Sequence, residues 1–241
     1  MSTAPRHRLS KSKITAYEHC PRRLWLQVHR REEARFDADT LTRFKFGHDV
    51  GARANFLIPD GIMVEARPDI AAALDRTAEL LRQQPERPIF EATFVHENVL
   101  VRVDILDPHP AGGWRAVEVK ASVSVKPYQL ADIATQVWVM RGCGVQISEA
   151  VIRHLAPPFS WRRPDIAAVR FADTDVTLSI ERYLRNRAKV ARAASQTVEG
   201  REVHRDTGTH CEHPFSCEFR RFCKQAEAMP LLALNVHRVE R

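Results

Sequence analysis

The chain switches between two hydrophobic periods. From Ile89 to Lys120 apolar residues recur at every second position, and Ile89–Val95, Val99–Leu106 and Trp114–Lys120 each read as a strand. The Pro- and Gly-containing stretch Asp107–Gly113 predicts a link that makes the last two an antiparallel hairpin. On either side the period lengthens to that of a helix. Residues 9–30 read as a helical hairpin or a broken helix, with Ser12 capping the first piece and Pro21 in the first turn of the second. Residues 39–57 put Leu41, Phe44, His48 and Ala52 on one helical face. Residues 68–84, bracketed by Pro68 and Pro85, carry the stripe Ile70, Leu74, Thr77, Leu80 and Leu81. Residues 126–141 predict a helix, and Ala150–Leu155 a further strand. A long basic helix capped by Asp173 or Thr174 is expected over 175–195, and a polar loop over 196–210. The predicted class is α/β: a small mixed sheet flanked by helices, with a cysteine-bearing end at 211–223.

Composition narrows the picture. A chain of 241 residues can bury a sizeable core without disulfide staples. Its 44% hydrophobic and 28% charged residues are those of a folded protein rather than a disordered one. No apolar run approaches the ~18–20 residues of a membrane span. The basic N-terminus is not followed by the apolar segment of a secretory signal. A cytoplasmic location is therefore expected, and with it reduced thiols, so clustered cysteines point to metal rather than to disulfides. Lys plus Arg total 37 against 30 Asp plus Glu, a net charge of +7, which suits a nucleic-acid partner. Arg far outnumbers Lys, however, as it does throughout Arg-rich proteomes, so charge alone decides little.

Charged residues inside the predicted strands carry more information. Asp104 sits in Val-Arg-Val-Asp-Ile-Leu, and Glu118 and Lys120 sit in Val-Glu-Val-Lys. Strand side chains alternate, so Glu118 and Lys120 share a face, and the hairpin can set Asp104 beside them. Buried charges are costly unless paired or bound to metal. Two carboxylates are hard oxygen ligands for Mg²⁺ or Mn²⁺, and a nearby lysine can orient a water or offset developing charge, which is the chemistry of phosphodiester hydrolysis. A cross-strand salt bridge on a half-exposed sheet fits the same pattern. Glu91, one strand earlier, reads as a further ligand, as a carboxylate supporting the ligands, or as a solvent-facing residue. Gln129, Asp132 and Gln136 form one stripe of the following helix, facing either the site and a nucleic-acid backbone or solvent. His48 reads as a core histidine or a metal ligand.

The cysteines form a second constellation. Cys211, Cys217 and Cys223 are evenly spaced near the C-terminus, and Cys20 stands alone in His-Cys-Pro-Arg-Arg-Leu-Trp. Four thiolates ligate zinc or an iron–sulfur cluster. Zinc favours two close pairs, whereas this three-plus-one split suits a cubane that staples the chain ends together; zinc with His210 or His213 stays open. Cys143, in Gly-Cys-Gly, reads as a free thiol.

Taken together these segments resemble the RecB-like nucleases of the PD-(D/E)xK superfamily, and within it the iron–sulfur branch that includes the CRISPR-associated exonuclease Cas-four. The likeness is carried by Leu-Ser-Lys-Ser-Lys-Ile-Thr-Ala-Tyr-Glu-His-Cys-Pro-Arg-Arg-Leu-Trp-Leu, by Asp104, by Glu118-Val-Lys120, by Gln136 and by the three C-terminal cysteines, in that order along nearly the whole chain. Phe46-Gly47-His48-Asp49-Val50-Gly51 and Phe90-Glu91-Ala92-Thr93-Phe94 look more like a relative of that branch whose nuclease half is fused to an RNase H-like half. His48 follows Gly47 directly, where the family has a longer gap, and Met140 stands where the family often has Tyr.

The resemblance implies a restriction-endonuclease-like core in one domain spanning 1–241. The core would cover about 39–172, and segments 9–30 and 175–223 would form an iron–sulfur, DNA-binding end. It implies a Mg²⁺- or Mn²⁺-dependent deoxyribonuclease, an exonuclease on single-stranded DNA or DNA ends, or alternatively a non-catalytic iron–sulfur module that binds DNA or assembles a complex. Asp104, Glu118, the carbonyl of Val119 and His48 would hold the metal, Lys120 would place the water, and Gln136 would hold the DNA or Lys120. Cys20, Cys211, Cys217 and Cys223 would ligate a structural 4Fe-4S cluster. Other repair or defence proteins would be partners. Arg22, Arg23, Arg182, Arg185 and Arg187 could track phosphates, and Trp25 and Phe222 could stack on bases or pack in the core.

Overall fold

A computed structural model describes residues 9–65, 69–83, 86–159 and 165–236, excluding the side chains of 229–236. The expected helix boundaries at Pro68 and Pro85 lie outside the described residues. The chain opens with a short strand β1 (Leu9–Ser10), followed by α1 (Lys11–His19), α2 (Pro21–His29) and α3 (Ala38–Phe56). After β2 (Ile62–Met63) and α4 (Ile70–Gln83) come three consecutive strands, β3 (Ile89–His96), β4 (Val99–Pro108) and β5 (Trp114–Lys120). Helix α5 (Pro127–Gly142) crosses to β6 (Ile147–Leu155), which leads to β7 (Phe171–Asp175), α6 (Glu181–Leu184), α7 (Arg187–Glu199) and α8 (Arg220–Val236).

The strands form one mixed, curled sheet in the order β2-β3-β4-β5-β6-β7, with β1 added parallel to the start of β4. The expected β4–β5 hairpin is antiparallel, and β5–β6 is parallel, as a helical crossover requires. Ile133, Val137 and Met140 of α5 are buried with Val101, Val103, Leu106, Ala116 and Ile152 of the sheet and with Ala191, Ala194 and Val198 of α7. Of the predicted α4 stripe Thr77 and Leu80 are buried, together with Ala73, and Ile70, Leu74 and Leu81 are half-buried.

Local expectations fail in three places, each for a tertiary reason. The first helix is capped by Ser10, not Ser12: β1 pairs Ser10 with Leu100, which fixes Ser10 as the boundary, and its hydroxyl accepts from the Lys13 N–H. The continuous helix expected over 175–195 does not form. Phe171–Asp175 instead pairs with β6, and Asp173 takes ion pairs at 2.8–2.9 Å from Arg153 on β6 and Arg115 on β5, so Asp173 and Thr174 serve the sheet rather than a cap. Helix α7 then runs to Glu199, into the segment expected as loop. On α3 the predicted apolar face is not the buried one: Leu41 and Phe44 are exposed, and Val50 and Ala54 pack inward. Among the described residues no helix is long and apolar enough to cross a membrane.

Candidate functional site

Strands β4 and β5 pair only between Ile105–Pro108 and Trp114–Val117. The next antiparallel pair would be Asp104 opposite Glu118, and there the ladder stops. The strands part, and Asp104 turns a carboxylate oxygen into the gap, where Oδ2 accepts from the Val119 N–H at 2.8 Å. Residues at opposed positions share a face, so both carboxylates point the same way.

Glu118 is almost fully buried, with every oxygen engaged. Oε1 takes the ammonium groups of Lys120 at 2.7 Å and Lys11 at 2.6 Å, and Oε2 accepts from Gln136 Nε2 at 2.5 Å. Lys120 also reaches Asp132 at 2.9 Å, and the Thr15 hydroxyl donates to the other oxygen of Asp132 at 2.6 Å. The polar stripe of α5 therefore faces the site: Gln129, Asp132 and Gln136 are all buried. Gln129 is used locally, accepting from the Lys126 N–H at the helix start and donating to Ser122. Gln136 holds Glu118 rather than Lys120.

The electrostatics follow from this packing. Burial, with the Glu118 charge beside it, raises the Asp104 carboxyl from its ordinary 3.8 to about 7. Burial would raise Glu118 as well, but Lys11 and Lys120 outweigh it and hold that carboxyl well below the ordinary range. Burial works against the charge of Lys120, yet Glu118 and Asp132 overcome it and keep the amine firmly protonated. Within the cluster Glu118 is therefore a firm carboxylate, Asp104 a carboxyl poised near neutrality, and Lys120 an ammonium unsuited to act as a base.

Other expected site residues fall elsewhere. His48 is exposed on α3, whose Val50 and Ala54 pack beside Val117 and Val119, the β5 residues that alternate away from Glu118 and Lys120. The structure does not bring it to the carboxylates. Glu91 has φ +58 and pairs with Arg102 at 2.9 Å. Among the described residues no three His, Cys, Asp or Glu side chains are already gathered as a metal-holding group. Sequence reasoning missed Lys11 and Thr15. Their signal was the charged and hydroxyl residues at i and i+4 on the first helix, but only the fold shows which element that face meets.

Cys20, Cys211, Cys217 and Cys223 line one pocket together with His19 and His210. All four are free thiols. Cys20 stands between α1 and α2, at the N-terminus of α2. Burial raises Cys217 to about 12 and Cys223 to about 11, so both thiols are neutral until something binds them. His210 Nε2 lies 3.5 Å from Cys211 Sγ. Cys143 is apart, donating to the Val95 carbonyl. Three of the five arginines considered for phosphates are held by carboxylates: Arg22 by Glu202, Arg23 by Glu218 and the buried Arg187 by Glu18. Arg182 and Arg185 are exposed. The Trp25 indole donates to the Gly200 carbonyl, and Phe222 packs in a small cluster with Leu26 and Phe219.

No protein-family model and no curated protein matches the chain. Among solved structures it is similar to SSO0001, at 13% identity and a TM-score of 0.42 over 92% of this chain and 88% of that one. It is also similar to an alkaline exonuclease, LHK-Exo, from Laribacter hongkongensis, at 13% identity and a TM-score of 0.37 over 80% of this chain and 91% of that one. Likeness at this level settles neither a family nor an activity.

Proposed function

We propose that the chain is a Mg²⁺- or Mn²⁺-dependent deoxyribonuclease of the RecB-like PD-(D/E)xK kind, acting on single-stranded DNA or DNA ends. The supporting observation is the pair Asp104 and Glu118, opposed where β4 and β5 part, with Lys120 on the same face. The donor set suits a hard dication. Two carboxylates face one gap, and their mutual repulsion, which adds to burial in raising Asp104, is what such an ion relieves. Asp104 and Glu118 would hold the ion, with the Val119 carbonyl as a further donor. Exposed His48 drops out of the first choice of ligands. When bound, the ion would supply Lewis-acid stabilisation and acidify a water. Lys120, firmly protonated between Glu118 and Asp132, would orient that water or offset phosphate charge rather than remove a proton. Gln136 keeps Glu118 in place.

The four cysteine thiols would hold a 4Fe-4S cluster in a structural role, joining the first helical hairpin to the C-terminal segment. The donor chemistry fits, since four free thiols share one pocket. DNA would be the substrate, and repair or defence proteins the partners.

A second reading has one observation in its favour. Every oxygen of Glu118 is already satisfied by protein groups, as in a closed structural ion-pair network. The chain would then be a non-catalytic iron–sulfur module that binds DNA or assembles a complex.

One experiment separates the two: anaerobic purification with a visible spectrum, then digestion of end-labelled single-stranded DNA with Mn²⁺. Cleavage should vanish in Asp104→Ala and Lys120→Ala while folding and colour persist. Undiminished cleavage in either variant sinks the proposed site. A coloured protein that cleaves no DNA favours the assembly module.

A further inference from the structure

We propose that Lys11 is a displaceable counter-ion of Glu118, which occupies the carboxylate when no divalent cation is present, yields to one, and then meets the substrate phosphate. This rests on the metal-dependent nuclease reading and deepens it.

Two ammonium groups share Glu118 Oε1, but they are not equivalent. Lys120 has a second anchor, Asp132 at 2.9 Å, and lies on the same strand as Glu118. Among the described residues the Lys11 ammonium makes its one direct ion pair with Glu118, at 2.6 Å and 107 positions away, and its charge also acts on Asp104. Its side chain is 23% exposed and that of Lys120 19%, where that of Glu118 is 2%, so both lysines stand between Glu118 and solvent and Lys11 is the one without a second anchor. A cation arriving from solvent meets these ammonium groups before it meets the carboxylate.

The backbone of Lys11 cannot follow its ammonium. Ser10 is paired to Leu100 in the sheet and caps α1 through the Lys13 N–H. The Thr15 hydroxyl lies 3.1 Å from the Lys11 carbonyl and 2.6 Å from Asp132. One turn on, Glu18 is gripped by Arg187, and the far end of α1 meets the pocket of the four cysteines. The helix is pinned along its length, and the flexible lysine stem supplies the motion. The charges agree with this exchange. Lys11 and Lys120 balance Glu118 and Asp132. A dication held by Asp104 as well leaves the cluster positive by the charge that a phosphodiester cancels, so a released ammonium and a phosphate belong to the same state. Lys11 is on this argument a positioning residue for Glu118 in the resting protein and a phosphate contact in the working one.

The test uses the full chain carrying Lys11→Met or Lys11→Arg, with thermal melts to establish folding. Free Mn²⁺ is followed by its paramagnetic resonance in a titration without DNA. Lys11→Met should bind Mn²⁺ tighter than wild type by about tenfold, a modest share of what close charge pairs carry at buried sites. A purely structural lysine would give a loss on removal, not a gain. Lys11→Arg, whose planar fork can hold a carboxylate by two bonds, should bind Mn²⁺ more weakly than wild type. At saturating Mn²⁺, Lys11→Met should raise KM for single-stranded DNA more than it lowers kcat. Unchanged or weaker Mn²⁺ binding by Lys11→Met, or unchanged or tighter binding by Lys11→Arg, overturns the proposal. If wild type binds Mn²⁺ and Asp104→Asn does not, that failure belongs to Lys11 alone. If wild type binds no Mn²⁺, the nuclease reading falls too, and the proposal with it.

Discussion

Asp104 and Glu118 are opposed carboxyls with opposite tendencies, and pH separates them. The folded Asp104 carboxyl titrates at about 7 against an ordinary 3.8, because it is buried beside a neighbouring negative charge. Between those values the folded state keeps a proton that the unfolded chain has released, so this group costs stability as pH rises through the window. Glu118 acts in the other direction. Its lysine partners depress it below an ordinary 4.5, so its contribution is present above that value and lost as pH falls below it. In chelator-treated protein, thermal stability should therefore decline as pH climbs from about 4 to 7. Asp104→Asn should remove that decline, since the amide oxygen can still accept from Val119 and carries no charge. Above pH 7 the variant should be the more stable by on the order of 2 kcal/mol. Melting curves of the two proteins across pH check this, and a wild-type profile that rises through the window would contradict the assignment.

Helix α1 joins the two sites. It contributes Lys11 and Thr15 to the carboxylate cluster, Glu18 to Arg187, and His19, which packs on the ring of Phe215, to the cysteine end. The Glu18–Arg187 pair binds α1 to α7 through two bonds, at 2.6 and 2.9 Å, with Arg187 buried. Removing the arginine leaves a partly buried carboxylate without its partner. Arg187→Ala should cost about 2 kcal/mol, below the usual loss for a fully buried pair because Glu18 keeps some solvent. Arg192→Ala, one turn on and exposed, should cost almost nothing. Denaturant midpoints of the two variants measure the difference. Equal values would mean that α1 is held by its apolar packing alone.

Across the whole molecule the two ends of the chain are brought together. The first helical hairpin supplies Cys20, and residues more than 190 positions later supply Cys211, Cys217 and Cys223 to the same pocket. Arg22–Glu202 and Arg23–Glu218 cross the same junction. A group held by all four thiols would close the longest loop in the protein, so its loss should be felt globally. Cys217→Ser should lose iron and solubility together, whereas Cys143→Ser, far from the pocket, should change neither. Iron assay and melting temperature on anaerobically purified protein decide it. Unchanged iron and stability in Cys217→Ser would remove the cluster assignment.

What the sequence determined by itself was local period. Two-residue alternation through Ile89–Lys120 defines three strands and puts Glu118 and Lys120 on one side. The three- and four-residue spacing of α4 marks its buried face, whereas α5 is buried on both its apolar and its polar stripe. Period tells which way a side chain points relative to its neighbours, and that was enough to gather Asp104, Glu118 and Lys120. It does not tell which element lies opposite. The stripe Gln129, Asp132, Gln136 could equally have faced water. It is buried because α5 crosses the sheet over Glu118. Nothing in the sequence pairs Lys11, Arg22, Arg23 or Arg187 with a partner; sheet order and chain closure bring each to a carboxylate more than 100 positions away. His48 and the 171–175 segment went the other way: a helical face and a helix cap by pattern, an exposed side chain and a strand in the fold. Electrostatic partners and strand edges are chosen at long range, where the cost of a buried charge or an unpaired backbone outweighs local propensity, so those choices belong to the tertiary structure.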